Sequence, residues 1–260
     1  MHPMLNIAIR AARAAGNIII RHIDNIQDLP VNVKGRNDFV TEVDRQAEAV
    51  IIESIRKAYP NHAIMAEESG AHGNHDYLWI IDPLDGTTNF LHGFPQFAVS
   101  IALQHKGVLT QAVVYDPLRQ ELFTTSRGHG AYLNDRRMRV SRQKNLEGAL
   151  LGTGFPFREQ QRFEYYLETF RTLSPLAAGI RRAGSAALDL AYVACGRLDG
   201  FWEFGLEQWD IAAGALLIEE SGGIISSING NNYLTSGDII TGNPSVYSEI
   251  KKLIESVPIK

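Results

Sequence analysis

The chain is 260 residues long, 45% hydrophobic, with a formal net charge of −4 and a pI near 6.1; it can bury a substantial core and has no global pull toward nucleic acid or an anionic membrane surface. A single cysteine, Cys195, excludes an intrachain disulfide and a thiolate metal cluster, and fits a reducing, cytoplasmic setting. No run approaches the roughly 18 consecutive apolar residues of a membrane-spanning helix, and Arg10, Arg13 and Arg21 interrupt the segment that a signal peptide would keep apolar.

Apolar residues recur at helical intervals over residues 5–23 and again over 41–58, predicting two helices, the second opened by a capping box of Thr41 and Asp44. Residues 62–66 and 77–81 read as short buried strands, each running into acidic residues. Segments 97–103, 108–115 and 121–125, separated by turns at Lys106-Gly107 and Asp116-Pro117, predict an antiparallel meander. A strand over 148–152 follows, and then helices over 162–173, 185–195 and 211–221 alternate with short strands around Arg181, Phe201 and Ile225. Gly222-Gly223 stops the last of these helices, and Pro244 opens a final one. With no internal repeat, low-complexity tract or linker, residues 1–260 read as one unit, an N-terminal α+β half over about 1–145 joined to a C-terminal α/β half over about 146–260.

The strongest chemical signal is Trp79-Ile80-Ile81-Asp82-Pro83-Leu84-Asp85-Gly86-Thr87-Thr88-Asn89, where a buried strand ends in two aspartates and a small polar turn. Hard carboxylate oxygens of this kind suit Mg²⁺, which favours a few carboxylates together with water and phosphate. Gly86 lets the backbone approach closely, and the amides of Gly86 and Thr87 could cradle phosphate oxygens. The plainer alternative is an Asp-Pro turn with Asp85 or Asn89 capping a short helix. Glu67 and Glu68, after a strand, could be solvated loop charges, and Asp210 in Trp209-Asp210-Ile211-Ala212-Ala213-Gly214 could be a simple N-cap. Spacing alone leaves open whether these acids converge.

Taken together, Ala66-Glu67-Glu68-Ser69, the segment from Asp82 to Asn89 and the segment from Trp209 to Gly214 resemble, in that order, the signatures of inositol monophosphatases. The similarity spans nearly the whole chain, and Gly200-Phe201-Trp202-Glu203-Phe204-Gly205 further resembles the bacterial SuhB-type branch. The resemblance implies an α/β fold, the five-layer α/β/α/β/α sandwich of the lithium-sensitive, Mg-dependent phosphatase superfamily, and a homodimer. It implies ligation of two or three Mg²⁺ ions by Glu67, Asp82, Asp85, Asp210 and the Leu84 carbonyl. It implies hydrolysis of inositol monophosphate to inositol and phosphate by direct attack of metal-activated water, which Asp44, Thr87 and, through its metal, Glu67 position or activate. The phosphate would lie against Asp85, Gly86 and Thr87, and the polyol beside Ser185, Ala186 and Glu203. Lys34 matches a family lysine on a loop near the metals, against the ordinary reading of a solvated lysine.

Fructose-1,6-bisphosphate, 3′-phosphoadenosine 5′-phosphate and histidinol phosphate are alternative substrates, because enzymes for them can share this metal core. A reading of a different class comes from SuhB-type relatives, which are associated with ribosomal RNA transcription antitermination through RNA polymerase and elongation factors. Arg136, Arg137, Arg139, Arg142 and Lys144 form a basic stretch without aromatic interleaving, which reads as a charged hairpin face and gives no direct nucleic-acid signature. Cys195 ends an apolar helix and reads as core packing.

Overall fold

The computed structural model describes residues 2–28, 31–35, 38–156 and 162–258. Helix α1 (Pro3–His22) starts on a proline, whose fixed φ and missing N–H suit the first helical position, and buries a stripe of Leu5, Ala8, Ala11, Ala12, Ala15 and Ile19. Strands β1 (Val31–Gly35) and β2 (Asp38–Thr41) pair antiparallel ahead of α2 (Glu42–Ala58). Thr41 and Asp44 form the expected reciprocal capping box at the start of α2, which buries Val43, Ala47, Ile51 and Ile55.

Next come β3 (Ala63–Ala66), β4 (Gly70–His72), β5 (Tyr77–Asp85), the short helix α3 (Thr87–Leu91), β6 (Ala98–His105), β7 (Val108–Asp116), β8 (Glu121–Ser126), β9 (Ala131–Leu133) and β10 (Arg136–Arg137). These strands form a sheet of eight in the order β10-β9-β8-β7-β6-β5-β3-β4. The expected meander is β6-β7-β8, antiparallel throughout, while β3 and β5 run parallel. The remaining strands are β11 (Leu150–Thr153), β12 (Gly179–Arg181), β13 (Gly200–Glu203), β14 (Ile224–Ser227) and β15 (Ile239–Gly242). They form a second sheet in the order β12-β11-β13-β15-β14.

The pleat of each sheet sorts its side chains into separate cores. On β6, Val99, Ile101 and Leu103 pack toward α1 and α2, whereas Ala98 and Ala102 pack toward α5 (Ala186–Ala194) and α6 (Gln208–Ser221). On β13 and β15, Phe201 and Ile239 face α5 and α6, whereas Trp202 and Ile240 face α4 (Phe163–Leu173) and α7 (Pro244–Glu255). The layers are therefore α/β/α/β/α. Helix α6 lies between two sheets, which is why it has no polar stripe: every residue from Ile211 to Ile218 is buried.

The two central helices pack closely through Gly214, where an added Cβ would lie 2.4 Å from the Leu190 Cβ. Gly214→Val gains a few tenths of a kcal/mol in helix propensity but overpacks this contact, so a net loss of about 2 kcal/mol is expected as a lower urea midpoint. An unchanged midpoint would show that α5 and α6 separate without cost.

Candidate active site

Strand β5 runs four residues further than its hydrophobic run, to Asp85. Opposite it on β6, Asp82 faces Ser100 and Asp85 faces Ala98, so three steps along β5 match two along β6. The extra residue is a β-bulge. Residues three apart on a regular strand point to opposite faces; the bulge returns Asp82 and Asp85 to one face, the one covered by α5 and α6. Pro83 sits inside the bulge, where no ladder N–H is required. Asp82 is 1% exposed, and its Oδ1 accepts the Leu84 N–H at 3.0 Å.

The chain then turns at Gly86, with φ at 96°, a conformation that glycine adopts without steric cost. A Cβ there would also meet the Gln96 carbonyl oxygen at 2.8 Å. The Thr87 hydroxyl lies 3.0 Å from Asp44 Oδ1 and 3.0 Å from the Leu84 carbonyl oxygen, so its one proton serves one of them at a time. Asp44 Oδ2 accepts the Thr41 N–H at 2.8 Å and the Thr41 hydroxyl at 2.5 Å. The carboxylate that caps α2 thus also faces Thr87. Burial pushes the Asp44 pKa up, opposed by the hydrogen bonds from Thr41 and Thr87.

Asp85 is held from α5, its Oδ2 accepting the Ser185 hydroxyl at 2.6 Å and the Ala187 N–H at 2.7 Å. Asn89 strengthens the same junction: its Nδ2 reaches the carbonyl oxygens of Gln96, Ala183 and Gly184 at 2.7, 2.9 and 3.1 Å. Asp210 is the third residue of α6 and not its N-cap; Glu207 takes that position and donates its N–H to Asp210 Oδ2 at 2.8 Å. Glu67 follows β3, its N–H donating to the Ile81 carbonyl at 3.1 Å. The neighbouring Glu68 N–H donates to Oε2 of Glu48, a buried carboxylate of α2, at 2.8 Å.

These separate anchors bring one oxygen each of Asp82, Asp85 and Asp210 within 4.8 Å of one another. Burial pushes the Asp82 carboxyl well above the usual range, and the charges of Glu67, Asp85 and Asp210 push it further. Asp85 is raised to about 6, again by burial, although the Ser185 and Ala187 hydrogen bonds pull it down. Carboxylates this close need a proton or a cation among them. All the donors are hard oxygens, so the residues present fit Mg²⁺ and not a softer metal.

The acids open into a cleft of about 390 Å³ that brings together Glu67, Asp82, Leu84, Asp85, Gly86, Thr87, Ser185, Ala186, Glu203 and Asp210. Asp44 reaches it through Thr87. Lys34 falls on β1, with its side chain outside the described residues. Glu203 is 8% exposed and lies against the backbone of Gly154, where a Cβ would come within 2.0 Å of Oε1. Burial, with Asp189 and Asp210 nearby, pushes Glu203 well above the usual carboxylate range, and Arg182 opposes this. Cys195 is half-buried against the core between the sheets, as expected, and burial raises its thiol pKa. The basic stretch begins on exposed β10, and Arg139 donates to the Glu220 carbonyl oxygen at 3.1 Å.

A family profile described as the inositol monophosphatase family matches residues 1–258. The chain belongs to the inositol monophosphatase family. It is 58% identical to the Nus factor SuhB of Pseudomonas aeruginosa, over 98% of this chain and 97% of that one. The crystal structure of the extragenic suppressor protein suhB from Bartonella henselae superimposes with a TM-score of 0.95 at 43% identity, covering 98% of this chain and 99% of that one. The inositol monophosphatase from Anabaena gives 0.88 at 42% identity, covering 98% and 96%.

Inositol monophosphatases are Mg²⁺-dependent, in keeping with the hard oxygen cluster described above. Among the described residues, no helix is long and apolar enough to cross a membrane. Sequence reasoning missed Glu48, Arg182 and Asp189 and left Asn89 as no more than a possible cap. A usable signal existed only for Asp189, as an acid inside the otherwise apolar Ala186-Ala187-Leu188-Asp189-Leu190-Ala191.

Two measurements test this geometry. Because the folded protein holds Asp85 protonated up to about pH 6 while the unfolded chain releases that proton near 3.8, its contribution to metal-free stability is full below about 3.8 and is lost as pH rises through about 6. Mg²⁺ must displace protons at low pH, so it should raise Tm more at about pH 7.5 than at about pH 5; an equal rise at both would contradict the assignment. Asn89→Ala strands two or three half-buried carbonyls and should cost about 1–3 kcal/mol in denaturant unfolding, with no loss expected only if water replaces the amide.

Proposed function

We propose that this protein hydrolyses the phosphate ester of a small polyol, with inositol monophosphate the leading substrate, in a Mg²⁺-dependent reaction. The observation that carries this reading is the convergence of three aspartates, Asp82 buried and Asp85 and Asp210 half-buried, in a cleft of about 390 Å³ that Glu203 also lines. Mg²⁺ would be held by Glu67, Asp82, Asp85, Asp210 and the Leu84 carbonyl, and when bound it supplies a lowered water pKa and neutralisation of phosphate charge.

The chain's own groups divide the remaining work. Thr87 and Asp44 form a hydrogen-bonded pair at 3.0 Å that orients the attacking water and takes its proton toward Asp44 Oδ1. The raised pKa of Asp44 makes it a better proton acceptor than a solvated aspartate. The Gly86 and Thr87 amides face the phosphate oxygens at the start of α3, where helix geometry leaves N–H groups without intrahelical partners. Ser185 and Ala186 at the start of α5 border the polyol, and Glu203 accepts from its hydroxyls. Lys34 is assigned a supporting role on the segment before α2. A nucleotide fits this cleft less well, because its exposed aromatic ring, Phe155, already has the Arg182 guanidinium 5.1 Å from its centroid.

A second role is supported by the relatives named Nus factor SuhB. We assign this chain a capacity to contact RNA polymerase or an elongation factor through a surface outside the cleft, compatible with catalysis. One substitution separates the two roles. Asp85→Asn should lower Mg²⁺-dependent phosphate release from inositol-1-phosphate by at least about a hundredfold while leaving partner capture from a transcription extract intact. Wild-type protein that releases no phosphate with Mg²⁺ would refute the enzymatic reading.

A further inference from the structure

The cleft contains a carboxylate that the proposed chemistry does not use. Asp189 lines it from α5, 2% exposed, on a helix whose residues 186–188, 190 and 191 are all buried and apolar. Among the described residues, the Asp189 side chain neither accepts a hydrogen bond nor forms an ion pair, and the same is true of Glu203 across the cleft. Arg182 is the cation that acts on both, yet its guanidinium lies over the Phe155 ring and pairs with neither.

A buried carboxylate without a donor lowers stability, and it adds nothing to the apolar packing of α5. Such groups point to a ligand that brings the missing donors. The aspartate cluster and the Gly86 turn serve the anion, and Asp189 and Glu203 line the same cleft beside them, so the donors that reach these two belong to ligand groups other than the phosphate. Hydroxyl groups fit two facing acceptors, since each donates one proton in an adjustable direction.

We propose that Asp189 is a specificity-determining residue that, together with Glu203, accepts hydrogen bonds from two hydroxyls of a polyol phosphate. The inference rests on the phosphomonoesterase reading given above and extends it to the substrate: the preferred ester carries at least two hydroxyls away from its phosphate, and a simple alkyl or aryl phosphate leaves both carboxylates unpaired. Discrimination of this kind is strong because an absent hydroxyl strands a buried group.

The test compares wild type, Asp189→Asn and Asp189→Ala in the full chain with Mg²⁺. The ratio of kcat/KM for inositol-1-phosphate to that for phenyl phosphate should fall roughly ten- to hundredfold in Asp189→Ala. Asp189→Asn, which keeps one acceptor oxygen, should fall less. The loss should appear mainly in KM for inositol-1-phosphate, and the Tm of Asp189→Ala should equal or exceed that of wild type. Equal losses on both esters with a lowered Tm would assign Asp189 a structural role and overturn the proposal. Calorimetric binding of myo-inositol in the presence of inorganic phosphate separates this inference from the enzymatic reading. Wild type that binds inositol but hydrolyses nothing would remove the phosphatase reading and leave Asp189 to be decided by binding alone. Equal inositol affinity in wild type and Asp189→Ala, or no inositol binding in wild type, would overturn it.

Discussion

Mutual repulsion among Asp82, Asp85 and Asp210 is the constraint around which this molecule is built. Their oxygens approach within 4.8 Å with Asp82 buried, and among the described residues no arginine or lysine pairs with Asp82 or Asp85. Neutral donors fix these two instead, the Leu84 N–H on Asp82 and the Ser185 hydroxyl with the Ala187 N–H on Asp85, and the Glu207 N–H donates to Asp210. Neutral donors hold a carboxylate in position without cancelling its charge, so the cluster keeps its affinity for a divalent cation. The free energy that holds it together must come from elsewhere in the fold.

It comes from the layers. Helix α6 is apolar on every side from Ile211 to Ile218 and α5 is apolar apart from Asp189 because each is pressed between two sheets, and their N-terminal ends deliver Ser185 and Asp210 to the same place. The bulge in β5 delivers the other two aspartates from the opposing sheet. Asn89 then ties the turn after β5 to the loop before α5, so the two suppliers cannot drift apart without breaking its bonds to Ala183 and Gly184. Burying Trp79, Phe97, Phe123, Phe201 and Trp202 stabilises the frame by about 2–3 kcal/mol for each large side chain, enough collectively to offset a locally unfavourable site.

Much of this was legible in the chain, for reasons that differ by element. Helices α1 and α2 announced themselves through periodicity, and the Thr41–Asp44 box through its spacing, because both are local interactions. The Asp82–Asn89 segment was readable as chemistry, yet its convergence with Asp210 required a bulge that no propensity encodes; periodicity ended the strand at Ile81. Strands β1, β2, β4, β9 and β15 were not anticipated, being three to five residues long and defined by their partners. Asp210 was open to reading as an N-cap because sequence cannot tell which of two nearby acids, Glu207 or Asp210, takes that place. Glu48 looked like any helix glutamate until the loop carrying Glu68 folded over it. Asp189 could have been flagged, since an acid in an apolar run is anomalous, but its direction depends on the helix's rotation between the sheets.

The contact between Glu203 and Gly154 has a consequence for how this cleft can change over generations. The carboxylate occupies the space that any side chain at 154 would fill, so position 154 cannot vary alone: a larger residue there must be accompanied by a shorter one at 203. The aspartate cluster, anchored through other elements, is untouched by such an exchange. Descendants of this protein can therefore reshape one part of the cleft by a paired substitution while inheriting the aspartate cluster unaltered.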